Sequence, residues 1–152
     1  NGAETKLNLN GGIIRQTTGI AVNVIDGAAV TISGIAALEG QICVMAGTNV
    51  SITLDGGTVT ASKMGIQATP EDTSTTAVTV HSGTITSDNI SIYAKDLTLD
   101  AVDGKTATLT GKLSLTQNAT ITEGASVLTG DKQVTELKQF TGTITVKKSS
   151  AS

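Results

Sequence analysis

An aliphatic residue returns at nearly constant intervals along this chain. Leu9, Ile32, Leu54, Val80, Leu99 and Ile121 follow one another at steps of 23, 22, 26, 19 and 22 residues. Two further ladders run in the same order. Ile14, Ala36, Val59, Ile85 and Leu109 make the second; Ile20, Ile42, Ile66, Ile90 and Leu113 make the third. The third has partners two residues on, at Val22, Val44, Ala68, Ile92 and Leu115. Such a repeat constrains the fold more than local propensity does, because each unit must bury its apolar side against its neighbours. Within a unit, alternation lasts only a few residues between Gly or Asx breaks. That is strand spacing; the 3.6-residue spacing of helical repeats is absent.

The expected fold is all-β: a single-domain parallel β-helix, or β-solenoid, of about six coils with three short strands each. Coils stack ~4.8 Å apart, as neighbouring strands do in any sheet, so six give a rod roughly 30 Å long. Residues 1–6 read as a lead-in, 7–130 as coils, 131–148 as an irregular C-terminal cap and 149–152 as a tail. Within the cap, Phe140 is expected to cover the last coil. "GG" in "LDGGTVT" permits a bend between first and second strands, since glycine tolerates positive φ. "TPEDTSTTA" (Thr69 to Ala77) reads as a loop extruded from a coil.

Composition agrees with a narrow interior. Aromatic residues make up 1% of the chain, so its 17 Gly and 27 Thr leave small aliphatics to fill the core. The net charge of −3 and scattered lysines give no polyanion-binding footprint, which argues against nucleic acid. No apolar run reaches the ~18–20 residues of a spanning helix, so membrane insertion is not expected. Cys43 is the one cysteine and permits no internal disulfide.

The phrases "GGTVTAS…GIQA" and "SGTITSDNISIYA" resemble those of the right-handed parallel β-helix, or pectin-lyase-like, superfamily. More narrowly, they resemble secreted bacterial carbohydrate-binding and adhesin-type β-helix domains. The resemblance spans Leu7 to Leu128 and implies an extracellular or cell-surface module whose partner is a polysaccharide or host-cell glycan. In lyase branches it would also imply clustered acidic calcium ligands beside a basic residue. Here Arg15 is the only arginine and no outward ladder places acids in consecutive coils, so lyase activity does not carry over.

Candidate site residues follow from the coil scheme. Tyr93 is expected to face outward in a column with Asn23, Met45, Thr69 and Thr116, beside a column of Ala21, Cys43, Gln67, Ser91 and Ser114. Tyr93, Gln67, Ser91, Thr69 and Asn23 then form the expected saccharide contact, one stacking ring among hydrogen-bonding groups. Asp96, Asp100 and Asp103 are the densest acids and the candidate calcium ligands, because calcium takes six to eight oxygens; no cofactor is otherwise expected. His81, at a bend, is a general base only if Asp55 or Asp100 stacks beside it. Cys43, between two inward residues, is expected to face outward or to pack under a loop. Thr58, Thr60, Thr84, Thr86, Thr108 and Thr110 fall on the second strand of three consecutive coils as Thr-x-Thr units. They form a flat array of the kind ice-binding solenoids display, with Ile13/Arg15 and Ile35/Ala37 in the same columns of earlier coils. The expected function is non-catalytic glycan binding or adhesion. A structural spacer or assembly subunit, a polysaccharide lyase or hydrolase, and an ice-binding protein are the alternatives.

Overall fold

A computed structural model of the chain describes residues 6–24, 27–68, 76–102 and 104–148. Its strands are β1 (Lys6–Leu9), β2 (Ile13–Val24), β3 (Ala29–Ala46), β4 (Ser51–Ala68), β5 (Ala77–Ala94) and β6 (Asp96–Leu99). They continue as β7 (Thr106–Leu115), β8 (Thr120–Ile121), β9 (Ala125–Thr129), β10 (Lys132–Gln133) and β11 (Thr141–Lys148). Together they wind one β-solenoid of about five turns, not six.

Each of β3, β4 and β5 runs unbroken for 18 residues, where three short strands were expected. The ladder hydrogen bonds continue around the bends, and the bends appear as register shifts, as at Gly34/Ala37 and Gly40/Ile42 between β3 and β4. Glycine makes this possible. Gly56 and Gly57 adopt φ of +112° and +82°. A Cβ on Gly57 would lie 2.9 Å from the Ala36 carbonyl oxygen of the coil below, so side chains are excluded by both conformation and space.

The first ladder is in perfect parallel register, Leu9 to Ile32, Leu54, Val80, Leu99 and Ile121. The second differs at one member. Leu38, not Ala36, joins Ile14, Val59, Ile85 and Leu109. Ala36 is buried at the bend, two residues earlier. The third ladder separates into two columns. Val22, Val44, Ile66, Ile92 and Leu113 stack inside. Ile20, Ile42, Met64, Ile90 and Lys112 stack as a half-buried column outside the buried core. The reason is a change of parity: Cys43 and Val44, like Ser91 and Ile92, are consecutive buried residues at the turn, so the residue before the pair is turned outward.

The C-terminal end departs most from simple winding. β11 returns antiparallel onto β7, setting Ile144 against Leu109 and Val146 against Ala107, and β9 pairs antiparallel with β11. Ile144 and Val146 are 1% and 0% exposed, so the returning strand extends the core by one rung. Val134 and Leu137 are buried, and Phe140 packs partly buried against the core. The carbonyls of Phe140 and Lys138 accept hydrogen bonds from the Leu113 and Leu115 amides. The cap is therefore built around a regular strand. At the other end, Leu7 pairs with Val30 but is 39% exposed where Val30 is 1%.

Candidate ligand-binding surfaces

Outward residues of successive coils stand in columns, because parallel register places like positions above one another ~4.8 Å apart. The Tyr93 column contains Asn23, Met45, Gln67, Tyr93 and Ser114. Gln67 is thus directly beside Tyr93 within the column, not offset from it. Asn23 is two rungs further down. Ser91 is not on this surface: it is 1% exposed and its Oγ donates to the Lys112 carbonyl at 3.2 Å. The same parity change that moved Ile90 outward carried Ser91 inward. Thr69 lies outside the described residues.

Cys43 is likewise buried, not outward. Its Sγ donates to the Thr60 carbonyl at 3.1 Å, and burial raises its pKa to about 11. Asp96 opens β6 and Asp100 follows its end. Among the described residues no group of three or more His, Cys, Asp or Glu side chains could hold a metal ion, and Asp103 lies outside them.

The bend between first and second strands gathers polar side chains. His81 Nδ1 lies 2.8 Å from the Asp100 carbonyl oxygen and 3.3 Å from its Oδ2. The Nδ1–H therefore donates to Asp100, one of the two partners, with Asp55, that the sequence offered. Asp55 Oδ1 accepts from Ser82 Oγ at 3.3 Å and stands 3.9 Å from Lys105 Nζ. Ser33 Oγ donates to Asn10 Oδ1 one coil earlier. These bonds satisfy bend residues pairwise from coil to coil, so Nδ1 of His81 is occupied in holding its turn.

The Thr-x-Thr array is in register as expected. Thr58, Thr84 and Thr108 form one column, and Thr60, Thr86 and Thr110 the other. Below them the columns continue with Ala37 and Glu39, not Ile35 and Ala37, then with Ile13 and Arg15. Ile35 sits on the bend, 85% exposed. Above them β11 adds Thr145 beside Thr108 and Thr143 beside Thr110, with Thr110 and Thr143 hydroxyl oxygens 3.0 Å apart. The array thereby gains a fourth rung.

No family model, curated protein or solved structure matches the chain. The surfaces must be read from their own chemistry. Sequence reasoning missed two of them. One is a column of Asn8, Thr31, Thr53, Thr79, Thr98 and Thr120 on the opening strands. Its signal was available in "VTI", "ITL", "VTV", "LTL" and "ATI", where a threonine sits between two inward residues. The other is a groove of about 340 Å³ at the turn that follows the second strand. One wall is the column Arg15, Glu39, Thr60 and Thr86; Gly40 and Ala61 line the groove next to it, and Thr17, Ser62 and Asp88 complete it.

Proposed function

We propose that this chain is a non-catalytic extracellular or cell-surface β-helix module that binds a glycan, in adhesion or polysaccharide attachment. The observation that carries the reading is a solenoid whose outward faces present hydroxyl, amide and isolated charged groups along its length. A polyol is recognised by such dispersed donors and acceptors, whereas catalysis asks for convergent titratable groups. Tyr93 with Gln67 beside it supplies one stacking face and one amide, with Asn23 on the same column. Resemblance of the repeated phrases to bacterial carbohydrate-binding and adhesin-type domains of the pectin-lyase-like superfamily supports the same reading.

Glycan-array screening of the folded protein, with and without calcium, tests it. Binding of at least one saccharide class is expected, weakened by Tyr93→Ala. Silence across the array, with the fold intact, favours the spacer or assembly-subunit reading instead. Turnover of acidic polysaccharides would replace binding by a lyase or hydrolase activity.

A second reading is favoured by the extension of the Thr-x-Thr columns through β11. Eight threonines in two columns over four rungs form a flat, regular hydroxyl array, the arrangement that suits an ice lattice. Thermal hysteresis lost in Thr84→Tyr would support it.

A further inference from the structure

The geometry points to the groove beside the Thr-x-Thr face as a binding site for a neutral linear oligosaccharide lying parallel to the rod axis. This rests on the glycan-binding reading and adds a site, an orientation and a ligand charge to it.

The groove arises from a size pattern that register creates. Gln16, Gly40, Ala61 and Ser87 occupy equivalent positions at the turn. Gly40 has no side chain, and a Cβ there would meet the Gln16 carbonyl oxygen at 3.1 Å. Ala61 is 5% exposed, so the floor is low at both rungs. Larger polar residues rise on either side. Arg15, Glu39, Thr60 and Thr86 stand on four successive rungs. Ser62 and Asp88 line the far side and are exposed.

This wall repeats a polar group at every interstrand step of ~4.8 Å. A pyranose ring in an extended glycan advances by a similar step, so each sugar meets one rung and the chain lies along the axis. Thr60 and Thr86 hydroxyls both donate and accept, as vicinal diols require. The Arg15 Nε bonds Glu39 Oε2, leaving the other guanidinium donors and Glu39 Oε1 for ligand hydroxyls. Both side chains are exposed, at 60% and 39%, so the pair contributes little to stability and is free to share its polar atoms.

Charge selects among glycans. Two carboxylates, Glu39 and Asp88, face one guanidinium in the groove, and Asp88 forms no ion pair among the described residues. Uronate chains meet net repulsion there; neutral chains do not. The site differs in this from the Tyr93 column, which lies beyond the next turn and carries no carboxylate.

The test is calorimetric titration with cellotetraose, mannotetraose, xylotetraose and tetragalacturonate, on the Tyr93→Ala background so that only the groove is read. At least one neutral tetrasaccharide is expected to bind, with tetragalacturonate weaker by about tenfold, the scale of repulsion between two carboxylates at a solvated surface. Adding Thr60→Ala with Thr86→Ala, or Ser62→Trp to block the groove, is expected to abolish binding. Thr58→Ala with Thr84→Ala, on the same strands but outside the groove, is the control for folding and is expected to leave binding unchanged. Loss of all binding on Tyr93→Ala alone, equal binding by the groove variants, or preference for tetragalacturonate would overturn the site while leaving glycan binding intact. No binding by the parent protein of any saccharide on the array or in this panel would overturn both.

Discussion

At the residue scale, burial decides the chemistry of the one thiol. Cys43 is 0% exposed, and its neutral form is favoured by desolvation. Its folded pKa of about 11 lies above the ordinary thiol value of 9.0, so the fold binds the thiol proton more tightly than the open chain does. The associated stability is present below pH 9.0 and is lost as pH rises towards about 11. Alkylation with iodoacetamide at pH 8 is therefore expected to be negligible in the folded protein and complete in denaturant. Modification in native buffer would show that the corner is open. Glycines make a second residue-scale contrast. Gly83 has φ of +107°, and a Cβ there would stand 2.7 Å from the Gly56 carbonyl oxygen. Gly130 has φ of +61° with nothing within 4 Å. Gly130→Ala is expected to cost about 1 kcal/mol, the strain of a left-handed residue alone. Gly83→Ala is expected to cost about 3 kcal/mol or more, because backbone must move as well. Denaturant midpoints of the two variants compare them directly, and equal losses would mean the coils are not stacked this closely.

At the scale of elements, β11 carries more than a cap usually does. It supplies Ile144 and Val146 to the interior and Thr143 and Thr145 to the exterior of one face. Ile144→Ala should therefore destabilise the protein by about 2–5 kcal/mol, as for deletion of any fully buried aliphatic side chain. Thr143→Ala, on the outward side of the same strand, should fall within about 0.5 kcal/mol. Chemical denaturation of the pair would reveal the alternation, and similar effects from both would place β11 off the core. The strands of β3, β4 and β5 persist through their bends for a related reason. Once glycine absorbs the turn, continuing the ladder pairs backbone donors and acceptors that a break would leave buried without partners.

At the scale of the whole molecule, the two ends are unlike. β11, β9 and the segment from Val134 to Phe140 cover the last coil, while the inward residues of the first described coil, Leu7, Leu9 and Ile14, remain partly exposed. Stability in stacked repeats is shared between neighbours, so a coil whose inward residues are only partly covered opens at lower free energy. Hydrogen exchange is expected to be fastest in β2 and slowest in β4 and β5. Protection of β2 equal to that of β5 would overturn this gradient.

Periodicity alone determined that coils stack and that the opening-strand ladder lies in register from Leu9 to Ile121, because each rung repeats the same inward residue after nearly the same length of chain. It also determined the Thr58/Thr60 to Thr108/Thr110 columns, which alternate along their strands with the inward residues Val59, Ile85 and Leu109. Tertiary structure decided what happens where alternation breaks. At the turn before the third side, two consecutive residues point inward, Cys43 with Val44 and Ser91 with Ile92, which strand alternation alone does not foresee. That choice buried Cys43 and Ser91, brought Gln67 beside Tyr93 and moved Ile42 and Ile90 outward. The antiparallel return of β11 was equally beyond the repeat, since it satisfies an edge that exists only once the coils beneath have formed. The groove depends on both, being the gap left where small corner residues stack in register beside a polar column.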